Sequence, residues 1–302
     1  MSFKHRGILI TMNNYFEVFK DFEPDIIDEI RSAVLDDTPI SPFIKPCGSD
    51  SFKLGQFRMA LREYVPKEYL NPKLSGRCVY LIRQCFRSGI DMSSLLPYIK
   101  GSLKLENASI ESIIKVLIAG GDIRKVDFTI VPKDNIEIIC EGLIKKFPMW
   151  LCVSSEGYLT TSFIRQLMKG MQLQVDIHPF LNGKWSEEQL VLILSNARAL
   201  NVNEFLEYVN YKFSVEHLVE VIDLARDGYD YTLLCLQDED GSPSFNPYQM
   251  VVLSKAIKDD VINEDMYNPN INDMDMEDMY NELLAKKEAE RKPVLKGQLK
   301  SR

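Results

Sequence analysis

Apolar residues recur along most of this 302-residue chain with the spacing of one face of an α-helix. In residues 213–225 (FSVEHLVEVIDLA), an aromatic residue and a serine precede apolar side chains at Leu218, Val221 and Ile222. A serine oxygen at this place can accept hydrogen bonds from the free N–H groups of a helix N-terminus. The pattern predicts an amphipathic helix whose N-cap is Ser214.

The same pattern returns at both ends of the chain. Residues 22–34 (FEPDIIDEIRSAV) and 245–257 (FNPYQMVVLSKAI) each begin with Phe, carry proline two residues later, and place apolar residues five, eight and twelve positions after the Phe. Proline is tolerated in the first turn of a helix. Further copies begin at Phe52, Leu74, Ala108, Leu159, Trp185 and Met274, and a degenerate copy lies near Asn135. Their spacing, close to 30 residues, is typical of stacked repeats.

Each long apolar segment is followed by a turn and a second, shorter one, as in 88–99, 200–209 and 227–236. The prediction is an all-α, curved, solenoid-like stack of about nine or ten helical repeats of 22–34 residues. Residues 22–285 form this array, 1–21 an N-terminal arm, and 286–302 a basic tail expected to be disordered. The alternative is an irregular helical bundle whose helices share only their amphipathic spacing.

Two stretches interrupt the helical pattern. Residues 125–131 (KVDFTIV) and 149–153 (MWLCV) are rich in β-branched and aromatic side chains. Such composition is typical of short strands, so the array has either a minor β insert near its middle or buried turns there. The GILITM segment of the arm is either a strand or an extension lying on the first helix. The polar residues 238–244 predict an exposed loop.

Charge is unevenly distributed. The formal net charge is -8, yet residues 238–282 alone carry twelve acidic and two basic residues. The tail reverses the sign with Arg291, Lys292, Lys296, Lys300 and Arg302. A mildly acidic chain disfavours a general nucleic-acid coat, which needs a basic surface. It leaves room for a local basic patch.

The residues that carry most enzyme and metal chemistry are not arranged for it. None of His5, His178 and His217 has a second ligand at zinc spacing, and no nucleophile signature or phosphate loop occurs. The acidic stretches starting at Asp238 and Asp273 lack the glycine and glutamate positions of an EF-hand. The sequence therefore predicts a non-enzyme without cofactor or metal.

Six cysteines without a C-x-x-C pair are expected to be buried free thiols. No secretory signal and no apolar run long enough for a membrane span is visible. These features predict a cytoplasmic protein.

The three segments 22–34, 213–225 and 245–257 resemble a tandem repeat of uncharacterised bacterial and phage proteins. Its units have the pattern F-x-x-x-Q-[ILM]-x-x-[IL], then a helix end near a glycine and an apolar-Asp turn. Gln56, Gln189 and Gln249 match the glutamine, whereas His217 and Asp278 depart from it. The resemblance implies a gene carried by a phage or another mobile element, and it implies no activity and no catalytic residue.

A repeat array presents a long surface, so its expected use is to bind another macromolecule. We expect a protein-binding scaffold, adaptor or inhibitor, directed at a host protein complex if phage-encoded. Its contact residues would be Asp259, Asp260, Glu264 and Asp265, which suit a partner with a basic surface. The alternative is a protein that binds nucleic acid through Arg58, Arg62, Arg83 and Arg87, or that mimics nucleic acid with its acidic repeats. Oligomeric state is open.

Overall fold

The structure is a computed structural model that describes residues 2–5, 8–11, 21–153 and 159–298, with side chains in 21–153 and 159–290. The chain divides into two compact units, Met1–Ser154 and Ser155–Arg302, which we call the N-terminal and C-terminal units. Apart from one hairpin, the described elements are α-helices and short 3-10 helices. The predicted all-α repeat fold is confirmed.

The N-terminal unit opens with an antiparallel hairpin of β1 (Ser2–His5) and β2 (Ile8–Thr11), so the GILITM segment contributes a strand. Its helices are α1 (Pro24–Leu35), α2 (Ser41–Cys47), α3 (Ser51–Arg62), α4 (Gly76–Arg87), α5 (Leu96–Ile99), α6 (Asn107–Ile118) and α7 (Lys133–Ile144). Short 3-10 helices cover Lys67–Tyr69, Ser93–Leu95 and Met149–Cys152. The long helices α1, α3, α4, α6 and α7 pack one on the next in chain order.

The C-terminal unit repeats this arrangement. Its helices are α8 (Thr161–Gln172), α9 (Glu187–Ser195), α10 (Val202–Tyr208), α11 (Val215–Arg226), α12 (Pro247–Lys258) and α13 (Asp273–Gln298). Short 3-10 helices cover His178–Phe180, Thr232–Cys235 and Glu264–Tyr267. The long helices α8, α9, α11, α12 and α13 again pack in chain order. Over both units, the ten long helices of the described residues begin 25 to 32 residues apart.

The predicted helix starts coincide with an N-cap residue that has one apolar residue directly before it and another in the first helical turn after it. In α11, Ser214 caps the N-terminus by accepting from the backbone N–H of His217. Phe213 before the cap and Leu218 in the first turn are both fully buried. This is the spacing of a hydrophobic staple, which fixes the angle at which the chain enters a helix. The offset of five residues between aromatic and apolar positions in the sequence therefore has a structural cause.

The C-termini of the long helices also share one structure, which the sequence shows less clearly than it shows the helix starts. In eight repeats a residue with positive φ follows the helix, and the next backbone N–H donates to the carbonyl five residues earlier at 2.8–3.0 Å. This is the Schellman motif. The positive-φ residues are Asp37, Tyr64, Gly89, Gly120, Lys146, Gln174, Gly228 and Asp260. Most are not glycine, so a glycine marks only some of the helix ends.

Three of the predicted repeat starts are displaced by three residues. Phe52 lies inside α3 and is exposed rather than being the buried aromatic before the cap. Ala108 and Met274 likewise lie inside α6 and α13. In these copies the cap comes earlier, at Asp50 for α3, so the template was aligned to an apolar residue of the first turn. For the same reason Asp278 is not the counterpart of the repeat glutamine.

Of the two alternatives for the middle of the chain, a β insert or buried turns, the structure has turns and a 3-10 helix. Residues 125–131 are a succession of turns, in which the Asp127 side chain accepts hydrogen bonds from the N–H and hydroxyl of Thr129. An aspartate that captures a neighbouring N–H favours a turn over a strand. Residues Met149–Cys152 form a 3-10 helix directly after Pro148. Val126 and Phe128 lie in this turn segment and are both buried. Burial at alternate residues explains why the segment resembles a strand in the sequence.

The C-terminal segment also differs from the prediction, because α13 continues to Gln298 through most of the expected disordered tail. Residues 285–291 are good helix formers. Lys287 also anchors this helix, since its ammonium donates to the backbone carbonyls of Asp259 and Asp260 at 2.8 Å. Residues 299–302 lie outside the described residues.

In the C-terminal unit, the third residue of α9, of α11 and of α12 joins its own helix cap to the next repeat. The side-chain oxygen of Gln249 accepts from the N–H of Asn246 at 2.9 Å, and its nitrogen donates to the carbonyl of Ile271 at 2.7 Å. Gln189 makes the same connection to the carbonyl of Phe213. A single buried amide thus completes one helix cap and holds the entry to the next repeat.

His217 occupies the equivalent position in α11. Its Nδ1 lies 3.2 Å from the N–H of Ser214, and its Nε2 lies 3.1 Å from the carbonyl oxygen of Phe245. Both contacts are satisfied by the neutral imidazole with its proton on Nε2. Burial lowers the pKa of His217, which favours this neutral form. His217 therefore makes the same two contacts as the repeat glutamine, although its residue type departs from the sequence pattern.

Candidate functional site

The four arginines predicted to bind nucleic acid lie on consecutive helices, Arg58 and Arg62 on α3 and Arg83 and Arg87 on α4. Arg58 donates to Glu29 and to Asp36, each at 2.8 Å, and its side chain is only 14% exposed. Arg62 donates to the same Asp36 carboxylate at 3.3 Å. These carboxylates come from α1 and its C-cap, so the charge of each arginine is balanced by the preceding repeat.

Arg83 and Arg87 share one carboxylate in the same manner. Both guanidinium groups contact both oxygens of Glu63, the C-cap residue of α3. Arg83 is 5% exposed and also donates to Gln56 at 2.6 Å. Burial opposes ionisation of the Glu63 carboxyl, but the hydrogen bonds from the two arginines outweigh burial and lower its pKa. Such two-pronged contacts are the strong form of the arginine–carboxylate pair.

Three of the ion pairs between repeats share one arrangement, which we call the inter-repeat ion pair. An acidic C-cap residue of one long helix binds a basic residue at the end of the next long helix. Asp36 pairs in this way with Arg62, Glu63 with Arg87, and Asp227 with Lys258, the last pair at 2.7 Å. The arginines of α3 and α4 are thus held as two pairs, one on Asp36 and one on Glu63. A phosphate would have to displace those carboxylates, which disfavours the nucleic-acid alternative.

The four predicted acidic contact residues fall into two groups. Asp259 caps α12 and accepts from the hydroxyl of Tyr280 at 2.6 Å, while Asp260 pairs with Lys287 at 2.9 Å. These two carboxylates therefore help to hold α13. Glu264 and Asp265 begin the following 3-10 helix, are exposed, and form no ion pair within the described residues. Only the second group is free for a partner.

Glu264 and Asp265 belong to a larger set of exposed residues that lie on or shortly after the short second elements of three consecutive repeats. We call it the acidic–aromatic edge; its residues are Glu204, Glu207, Tyr208, Leu236, Glu239, Asp240, Glu264, Asp265 and Tyr267. All nine are exposed, and the three apolar side chains are 36–44% exposed. None of the six carboxylates forms an ion pair with another residue that the structure describes. Residues 200–282 hold 19 acidic and 4 basic residues, so the charge is not balanced locally.

Hydrogen bonds between repeats hold the edge in place. The Gln237 amide nitrogen donates to the carbonyl of Tyr208 at 2.6 Å, and the Asn210 amide nitrogen donates to the carbonyl of Gly241 at 2.7 Å. Tyr231 packs against Tyr208 with perpendicular rings 6.0 Å apart. Exposed side chains on such a braced backbone lose little freedom on binding.

Sequence reasoning found the acidic residues but missed the aromatic ones. Tyr208 and Tyr267 each stand one or two residues before an asparagine, Asn210 and Asn268, whose side chain accepts from the backbone N–H two residues later. An exposed aromatic shortly before this asparagine, in the short second element of a repeat, was the available signal. It lies outside the long helices whose periodicity carried the prediction.

The described residues offer little for catalysis. All six cysteines are buried free thiols, and burial raises the pKa of Cys140, Cys152 and Cys235 to about 12. No group of three His, Cys, Asp or Glu side chains in the described ranges is placed to hold a metal ion. None of the helices described is both long and apolar enough to cross a membrane.

The sequence matches no protein-family model, no curated protein and no solved structure.

Proposed function

We propose that this chain is a non-enzymatic binding protein, a scaffold, adaptor or inhibitor, that captures a basic surface of another protein on the acidic–aromatic edge. The observation that supports the proposal is the set of six exposed carboxylates without basic partners beside Tyr208, Leu236 and Tyr267.

The two kinds of side chain have complementary roles. Unbalanced acidic charge speeds the encounter with a basic surface and excludes acidic ones. Tyrosine supplies a large, stiff contact area and is enriched among the residues that dominate binding energy. An arginine of the partner can also stack on a tyrosine ring while it pairs with a neighbouring carboxylate. Other exposed acids, such as Asp259 with Tyr280, already have partners within the fold.

The test is affinity capture from lysate with the tagged full chain, before and after nuclease treatment, followed by mass spectrometry. The informative variant is Glu207→Lys, Glu239→Lys, Glu264→Lys and Asp265→Lys combined. We expect a protein partner that survives nuclease and is retained at least tenfold less by this variant.

The matched control reverses the same number of exposed acids away from the edge, at Asp25, Glu68, Glu137 and Glu188. It should retain the partner as the wild type does. Equal loss in both variants would reduce the proposal to a general effect of net charge. A partner that disappears with nuclease would contradict the proposal and favour nucleic-acid binding.

A nucleic-acid mimic is a second candidate, which the same density of unpaired carboxylates favours. It requires that the captured surface be a nucleic-acid groove. Duplex DNA would then compete with this chain for the partner, whereas an ordinary protein contact would be unaffected by DNA.

A further inference from the structure

The C-terminal unit also contains a cleft of the opposite charge. The cleft lies between α8 and α9 and has a volume of about 440 Å³. It is lined by Gln166, Lys169, Leu173, Val191, Ser195 and Arg198, among others. Lys169 and Arg198 are exposed, and neither forms an ion pair with any residue in the described ranges. Two unbalanced cations thus face one cleft within a unit that is acidic as a whole.

The inter-repeat ion pair explains why one of these cations, Arg198, lacks a partner. Arg198 is the twelfth residue counted from the first residue of α9, as Arg62, Arg87 and Lys258 are in their repeats, although α9 ends at Ser195 and Arg198 lies in the turn that follows. The partner of each of those bases is the acidic C-cap residue of the preceding long helix. The C-cap residue of α8 is Leu173. This joint therefore has the cation but lacks the carboxylate.

We propose that the cleft binds a carboxylate side chain from an acidic segment of a partner protein, with apolar residues beside it. A carboxylate is the group that fills this position in three other joints of the same molecule. The guanidinium of Arg198 can hold it through two hydrogen bonds, with Lys169 as a second charge. Leu173 and Val191, 39% and 40% exposed, supply an apolar wall for the flanking residues.

A nucleic-acid phosphate fits the cleft less well than a protein carboxylate. The C-terminal unit carries 25 acidic and 15 basic residues, so it repels a polyanion at a distance. Nucleic-acid binding draws its strength from many phosphate contacts, and this cleft offers two cations. A single carboxylate with apolar neighbours needs no more than the cleft provides.

The experiment titrates the full chain with a fluorescein-labelled peptide that has a Leu-Glu-Glu-Leu centre in a Gly-Ser background, followed by fluorescence anisotropy and by backbone NMR shifts. We expect binding that Arg198→Gln and Lys169→Gln each weaken at least fivefold. Lys255→Gln removes a charge from another exposed lysine of the unit and should leave binding unchanged. The same peptide with Leu-Gln-Gln-Leu should not bind.

A second variant tests the missing carboxylate without any ligand. Leu173→Glu supplies the acid within the chain, so it should abolish peptide binding. It should also raise Tm by about 1–3 °C, the range of one exposed ion pair in a chain of this size. The increase should vanish when Arg198→Gln is added.

Several results would overturn the proposal. Equal binding of the Glu and Gln peptides would mean an apolar contact only. Peptide binding that Arg198→Gln leaves intact would place the peptide elsewhere. A labelled dT12 oligonucleotide that binds in preference to the peptide would identify a phosphate site. A molecular mass that falls from dimer to monomer in Arg198→Gln, without peptide binding, would assign the cleft to a second copy of the chain. The acidic–aromatic edge is intact in all these variants, so each result leaves the proposed function to be tested separately.

Discussion

The arginine-bearing repeats of the N-terminal unit and the acidic repeats of the C-terminal unit are both dense in one charge, but they use that charge differently. Arg58, Arg62, Arg83 and Arg87 are held by carboxylates of the preceding repeat. The carboxylates of the acidic–aromatic edge have no such partners in the described residues. Charge density along a sequence therefore does not tell whether a charge is available. A charge is available only if the preceding repeat offers it no partner of opposite charge.

The largest expected effect is a loss of stability when the most buried of these arginines is replaced. Arg83→Met leaves the partly buried Glu63 without its main partner, and breaking a buried ion pair costs about 3–5 kcal/mol. Denaturant unfolding should show a loss near the lower limit, because Arg87 still contacts Glu63. Arg87→Met, at an exposed side chain, is the control and should cost much less stability, because solvent screens exposed ion pairs. Equal effects of the two variants would contradict the distinction.

The buried amides between repeats of the C-terminal unit should stabilise the fold through neutral hydrogen bonds. Gln249→Leu removes the buried amide that serves the N–H of Asn246 and the carbonyl of Ile271. Leaving such buried groups without partners costs about 1–3 kcal/mol. The measured loss should be the same at low and high salt, since no charge is involved. A loss that shrinks with salt would contradict this assignment.

Arg198, which forms no ion pair in the described residues, should contribute least to stability among these charged residues. Arg198→Met should change the free energy of unfolding by no more than about 0.5 kcal/mol, as expected for an exposed side chain without a partner. It is the counterpart of Arg87→Met at a joint without a carboxylate. A loss above about 1 kcal/mol in denaturant unfolding would show that Arg198 has a structural partner.

The smallest effect concerns pH. The folded-state pKa of His217 is lowered by burial, so the unfolded chain binds the proton more tightly. Its contribution to stability is complete above the ordinary pKa of about 6.5 and is lost as pH falls below it. His217→Gln restores the repeat glutamine and should remove this part of the pH dependence between pH 7.5 and 5.5 while matching the wild type at pH 8. Identical Tm profiles of the two proteins would contradict it.

Much of the fold could be predicted from the sequence because its signals are local. Phe213 and Leu218, five residues apart, mark a helix start, and the copies that begin at Phe22, Leu74, Leu159, Trp185 and Phe245 mark five others. Helix ends were less visible, since residues as unlike glycine as Tyr64 and Lys146 adopt positive φ there. For the segment 125–131, composition alone left strand and turn open, because it does not reveal the turn that Asp127 forms.

Only part of the candidate site could be predicted from the sequence, because the contacts that pair its charges join residues far apart in the chain. Asp36 and Arg62 lie 26 residues apart in sequence, and only the packing of α3 on α1 makes them a pair. No local pattern distinguishes Glu264, which is free, from Asp259, which Tyr280 binds. Tyr208 and Tyr267 stand in short elements without periodicity and were therefore overlooked.

Hydrogen–deuterium exchange of the full chain, alone and with the captured partner, tests the central claim most directly. We predict slower exchange in Val202–Tyr208, Thr232–Cys235 and Glu264–Tyr267, where the acidic–aromatic edge lies. Exchange in α3 and α4 should not change. Protection confined to α3 and α4 would contradict the account, because it would place the partner on arginines whose charge the fold already balances.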